Sequence, residues 1–167
     1  ATFTGAFHFT DGPLTATSNL ARYQIAAGTL LLSGKEGAAV PRIQDDALII
    51  DANVIDVTLD PRKMVATGQV SSALQAPKKA TASAPAGKRP GLLGDKDPVQ
   101  IIAESLTYDE ALRRGEYKGQ ARLLQDQTQI HADTLIIDES KGDLSAVGRV
   151  ITTLALVRKD VVPGKSP

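Results

Sequence analysis

The chain has no cysteine and no tryptophan, only two histidines (His8 and His131), and aromatic residues at 4% of its 167 positions. Without cysteine there is no disulfide, thiol nucleophile, zinc–thiolate site or iron–sulfur cluster. Both reducing and oxidising compartments tolerate such a chain. So few aromatics argue against the stacking platforms that hold single-stranded nucleic acid. Neither sign of charge is in excess, since nineteen basic side chains balance nineteen acidic ones. The field of a general nucleic-acid binder is therefore missing, and no nucleic-acid partner is expected. Apolar runs are short, Leu48-Ile49-Ile50 being typical, and none approaches a membrane span. No phosphate-cradling glycine loop appears, and no Ser, Asp or second His stands at a recognisable spacing from His131. Neither an enzyme nor a cofactor is expected. The start at Ala1 reads as a mature or trimmed form whose targeting segment has been removed.

What is present is ordinary in amount and unusual in arrangement. Hydrophobic residues make up 42% of the chain and charged residues 23%. That suffices for one domain with a sizeable core, or two small lobes sharing one. Residues 75–98 read QAPKKATASAPAGKRPGLLGDKDP. They hold four of the nine prolines, together with Lys78, Lys79, Lys88, Arg89 and Lys96. This composition suits a long loop or linker. It divides the chain into residues 1–74 and 99–167.

The two parts match each other. At an offset of eighty, Ile50 meets Ile130, Ala52 meets Ala132, Ala66 meets Ala146, Gly68 meets Gly148 and Val70 meets Val150. Upstream the offset grows, pairing Gly34 with Gly119 and Ala16 with Ala103. Two copies of one unit, on the scale of a stacking repeat, are expected. Within each copy the period is two: Leu30, Leu32 and Ile55, Val57, Leu59 in the first; Tyr117, Ala121, Leu123 and Leu135, Ile137 in the second. Phe3, Phe7 and Phe9 share a face at the start. Such alternation marks half-buried strands. Turn signals separate them at Asp11-Gly12-Pro13, Ser33-Gly34, Asp60-Pro61 and Lys141-Gly142-Asp143. The alternation slips by one between Ala52 and Ile55, and again between Ala132 and Leu135. An odd step flips faces unless a bulge or bend restores the register, so both slips predict a corner in a curved sheet. Residues 104–114 have helix-forming composition, but the repeat places a strand at 103–108, a turn at 109–115 and a strand from 116.

These residues carry a resemblance. The second copy runs ESLTYD after Ala103, YKGQARLLQ from Tyr117, IHADTLIID from Ile130 and LSAVGRV from Leu144. Over residues 99–153 this resembles the OstA-like domain of the lipopolysaccharide-transport periplasmic proteins. The first copy, with LARYQIAAGTLLLSG and DANVIDV, looks more like the periplasmic domain of the membrane-tethered transport subunit. It departs from the pattern at Asn53, where the family has Asp, and in lacking a tyrosine before Gly34. The resemblance implies an all-β, antiparallel β-jellyroll (β-taco) built from two OstA-like repeats, in one continuous jellyroll. It implies a periplasmic location in a Gram-negative cell, and non-enzymatic carriage of lipopolysaccharide with its acyl chains in an apolar groove. It also implies joining to other lipopolysaccharide-transport proteins through sheet edges, and head-to-tail self-association.

Under that reading the lipid-binding residues are Leu30, Leu32, Ile50, Ala52, Ile55 and Val57 in the first copy. In the second they are Leu106, Tyr117, Ala121, Leu123, Ile130, Ala132, Leu135 and Ile137. Ala52, Ala121, Ala132 and Ala146 are expected to leave room between larger neighbours. The plain alternative for the same stripe is a dry sandwich core in a scaffold protein. A carbohydrate-active β-solenoid is a further alternative, which the low aromatic count disfavours. Asp45, Asp46, Asp51, Asp56 and Asp60 lack the spacing of a calcium loop and read as a solvated outer face, so no metal is expected. Asp133 and Asp138 read as turn or outer-face residues. Tyr23, Tyr108 and Tyr117 read as rim or core aromatics. The basic cluster of the linker reads as a solubilising feature, with anionic headgroups as its functional alternative.

Overall fold

The computed structural model describes residues 1–75, 90, 93–94 and 97–154. Among these residues twelve strands form one antiparallel sheet. They are β1 (Thr2–Asp11), β2 (Leu14–Gln24), β3 (Thr29–Ser33), β4 (Arg42–Gln44), β5 (Leu48–Asp51) and β6 (Val54–Leu59). Then come β7 (Arg62–Leu74), β8 (Val99–Asp109), β9 (Arg114–Gln125), β10 (Thr128–Asp138), β11 (Asp143–Val147) and β12 (Ile151–Thr153). Three of the neighbours in sequence also continue one another in space. β3 and β4 both pair with β2, β5 and β6 both pair with β7, and β11 and β12 both pair with β10. The twelve strands are thus nine passes in simple meander order. β7 pairs with β8 over ten residue pairs, so the sheet runs without a break from the first part of the chain into the second.

The pairing between passes is interrupted at one level along the sheet. Gly68 and Gln69 of β7 stand opposite the single residue Glu104 of β8, and the register resumes at Val70–Ala103. Gly119 and Gln120 of β9 stand opposite the single residue Asp133 of β10. Gly148 and Arg149, between β11 and β12, flank Asp133 on its other side, where the Asp133 N–H donates to the Gly148 carbonyl at 3.0 Å. These are two-against-one bulges in which both residues of the pair have φ between 40° and 83°. The glycines are required twice over. Their φ is left-handed, and a polar side chain of the next strand lies where a Cβ would be. A Cβ on Gly68 would sit 3.0 Å from the Cβ of Asn53, and one on Gly148 would sit 3.0 Å from that of Asp133. One on Gly119 would sit 2.6 Å from the Cβ of Glu104 and against its carboxylate. Bulges increase local twist and bend a strand. Aligned across the sheet, they crease it.

The crease resolves the two slips in alternation. Ala52 and Ile55 are both buried, as are Ala132 and Leu135, because the bend turns the second member of each pair back inward. Strand, turn and strand also occupy 99–125, with the turn at 110–113, as the repeat requires and against the helical composition of 104–114. Phe3, Phe7 and Phe9 share the inner side of edge strand β1, and the Phe3 and Phe7 rings lie 5.3 Å apart.

The crease glycines carry a stability prediction. Gly119→Ala should destabilise the fold by about 2 kcal/mol or more, from the left-handed φ together with the clash. Gly12→Ala, at φ 59° but with open space around it, should cost about half as much. Thermal melting of the two variants beside the parent checks the order.

Candidate lipid-binding interior

Creasing the sheet brings its inner surface into two facing halves. Side chains on this surface fall into rows that cross the sheet. Next to the crease on one half run Ala21, Leu32, Ile55, Ala66, Leu106, Tyr117, Leu135 and Ala146, each opposite the next. On the other half the row nearest the crease is Ala52, Val70, Ala103, Ala121 and Ala132. Beyond it run Ile43, Ile50, Ser72, Ile101, Leu123 and Ile130. Small side chains thus predominate beside the crease on the second half. The alanines at the crease are buried: Ala52, Ala121 and Ala132 are at most 5% exposed. Ala146, on β11, is half-buried.

All fourteen residues singled out in the sequence are buried, and all lie in one apolar core. Sequence reasoning passed over Leu14, Ile43, Met64, Val99 and Ile101, which share that core. Val99, Ile101 and Ala103 do alternate, and that signal could have found them. Leu93 had no such signal, because it lies inside the Pro- and Lys-rich segment. Lys78, Lys79, Lys88 and Arg89 lie outside the described residues.

A polar contact crosses the interior. Ser72, on the far half, donates its hydroxyl proton to the Tyr117 hydroxyl at 2.9 Å. Both groups are buried, so each satisfies the other. Burial holds the Tyr117 proton far above the ordinary tyrosine range, the Ser72 bond offsetting this in part and the Glu139 charge adding to it. Tyr108 is also raised, first by burial and then by the charges of Glu139, Asp45 and Glu110, with Arg113 opposing.

The open side of the crease is a narrow mouth. Leu48 and Leu74 from one half face Tyr108, Gly115, Tyr117 and Ile137 from the other, leaving about 10 Å3 of free space. Gly115 supplies no side chain in its inward row, and the rings of Tyr117 and Tyr108 take the vacated volume: a Cβ there would be 3.4 Å from Tyr117 and 3.7 Å from Tyr108. Above this slot the turns carry charge. Asp45, Asp46, Arg62, Glu110, Arg113 and Glu139, with Pro13, Ala47 and Tyr108, line a wider depression of about 400 Å3. Arg62 reaches Asp11 across the mouth at 3.5 Å and Glu110 on its own side at 3.4 Å. Such long, partly solvated pairs contribute little each.

The remaining candidates have local duties. Asp45 accepts from the N–H groups of Ala47 and Leu48, and Asp51 forms a two-pronged pair with Arg42. Asp138 caps its turn at Ser140 and Lys141. Asp133 is paired with Arg149 at 2.7 Å, which lowers its pKa through hydrogen bonding first. His131 lies half-buried on β10.

The two raised tyrosines give a pH dependence. The unfolded chain releases these protons near pH 10, whereas the folded chain holds them to higher pH. Their contribution to stability is complete below pH 10 and declines as pH rises beyond it. Urea midpoints taken from pH 8 to pH 11 should fall above about pH 10, and the Tyr108→Phe/Tyr117→Phe double variant should show a shallower decline.

No family model matches the sequence, and no curated protein matches it. A solved structure does. The chain is similar to the crystal structure of LptH, the LptA-homologous periplasmic component of the conserved lipopolysaccharide transport device from Pseudomonas aeruginosa. Identity is 11%, the match covers 86% of this chain and 95% of that one, and the TM-score is 0.68. The chain thus has the fold of that component, an antiparallel β-jellyroll made by creasing one sheet.

Proposed function

We propose that this chain binds lipopolysaccharide in the periplasm and carries it as a non-enzymatic component of a transport bridge. The observation that carries this reading is the continuous apolar interior of a creased sheet, in a fold shared with a periplasmic component of lipopolysaccharide transport. The interior suits acyl chains chemically. Among the described residues its buried polar side chains are Ser18, Ser72 and Gln125, with the Tyr117 hydroxyl held by Ser72. Among the described residues no carboxylate, imidazole or amine belongs to the buried core, and Glu139 stands at the slot that opens it. Each half of a pass is five or six residues, about 17 Å, so acyl chains would lie along a half or span the mouth. Removing their surface from water would drive binding at about 25 cal/mol per Å2.

With about 10 Å3 free in the slot between the halves, binding in this reading requires the halves to separate or side chains to move aside. The meander supports the reading of assembly through edges. β1 and the β11–β12 pass each pair on one side only among the described residues, leaving N–H and C=O groups that another strand can meet. The reading of two repeats, residues 1–74 and 99–167 around the linker 75–98, is supported by the crease. Asn53 covers Gly68 as Asp133 covers Gly148. The departure from Asp at position 53 comes with Gln69 where the second copy has Arg149, so a neutral couple replaces a charged one.

A photo-crosslinking amino acid tests the interior without charging it. Placed at Leu135 or Ile137, it should crosslink lipopolysaccharide in living Gram-negative cells. Placed at Ile136, which points to the other face of β10, it should not. Equal crosslinking at all three, or none at 135 and 137 in folded protein, would leave the scaffold reading as the better one.

A further inference from the structure

Tyr117 belongs to the row beside the crease, but its ring reaches toward the mouth. A Cβ on Gly115, the next inward position of β9 on that side, would lie 3.4 Å from it. Leu48 and Leu74 line the slot from the far half, and Tyr117 is the lining residue rooted nearest the crease, so it forms the floor. Its hydroxyl meets that of Ser72 on the far half at 2.9 Å, with Ser72 1% and Tyr117 2% exposed. A hydroxyl carries one hydrogen and two lone pairs. The single bond gives each oxygen a partner and leaves the Tyr117 hydrogen and further lone pairs in reserve. Among the described residues neither hydroxyl has a second hydrogen-bond partner. The wider depression stands directly above, since Tyr108 and Glu139 line both it and the slot. A chain whose head lies in that depression therefore passes the two hydroxyls within its first few carbons.

We propose that Ser72 and Tyr117 are specificity-determining residues, which favour an acyl chain bearing a hydroxyl near its head over one that is hydrocarbon throughout. The proposal rests on the acyl-chain reading of the interior. The slot has about 10 Å3 free, room for at most one water, so a chain enters only by parting its walls. The Ser72–Tyr117 bond joins those walls, and entry between them separates the two hydroxyls. A plain hydrocarbon leaves both buried without a partner and shut off from water, which costs more than the bond itself contributed. A chain hydroxyl at the same depth is donor and acceptor at once. It accepts the Tyr117 hydrogen and donates to the Ser72 oxygen, so both groups are satisfied again. Selection then comes from the penalty on the wrong chain as much as from the bond to the right one.

Displacement of a fluorescent fatty-acyl probe from the full chain tests this with two competitors of equal length, 3-hydroxytetradecanoate and tetradecanoate. A groove without polar groups prefers the plain acid, because the chain hydroxyl must leave water. The parent should prefer the hydroxy acid. The Ser72→Ala/Tyr117→Phe double variant, which leaves neither hydroxyl unpaired, should move the ratio of the two affinities about ten-fold toward the plain acid. Tyr117→Phe alone should move it the same way, and serves if the double variant melts below the working temperature. An isomer hydroxylated near its tail should gain nothing over the plain acid in the parent; an equal preference for it would overturn the placement of the pair near the chain's head. The same ratio in the parent and a folded variant would overturn the selection and leave the acyl-chain reading standing. Failure of the probe and both acids to bind the parent and the variants would overturn the acyl-chain reading and the selection together.

Discussion

The structure depends on a line of bulges that creases one sheet at a single level. A flat meander of nine passes would expose one apolar face along its whole length. Sheets twist but do not fold back on themselves without local irregularity. Here Gly-X pairs with left-handed backbone in β7 and β9, and breaks between consecutive strands in other passes, fall at the same height, while β8 and β10 run through opposite them. Asn53, Glu104 and Asp133 lie over the glycines of adjacent passes. The crease is therefore a row of interlocking contacts, with the bend in one strand fitted against its neighbour.

Everything inside follows from where that line falls. Residues beside it on one half are mostly alanine, and the row beside it on the other half alternates larger side chains with Ala21, Ala66 and Ala146. Further out, Ile and Leu predominate. At the mouth the character changes again, to a glycine in an inward row, two tyrosines with raised pKa values and a charged rim. The Ser72–Tyr117 bond links the halves deep inside, and Arg62 with Asp11 links them weakly at the rim. The halves are thus held together mainly by apolar contact, a non-directional force that another apolar body can supply equally well. This is the physical basis for reading the interior as a binding surface as well as a core.

Much of this was legible in the sequence. Period-two alternation depends only on the geometry of one strand, so Leu30, Leu32, Ile55, Val57, Leu123 and Leu135 could be assigned to an inner face from spacing alone. The slips at 52–55 and 132–135 announced the crease, since a register error repeated at the same offset is a feature of the fold. The self-match at eighty residues decided for strand over helix at 104–114. Less legible were β4, a strand of three residues that holds Ile43, and the start of β2, where Leu14 directly follows a turn.

The sequence by itself determined that the chain is all-β, that its strands are half-buried, and that they bend at particular residues. Those properties are local, set by side-chain parity and by glycines beside polar neighbours. Only the tertiary structure decided which inner residues meet across the crease: that Ser72 reaches Tyr117, that the alanines are buried at the apex, and that Leu93 joins the core. Such contacts join residues tens of positions apart, and depend on how sharply the sheet closes. No spacing along a single chain encodes that angle.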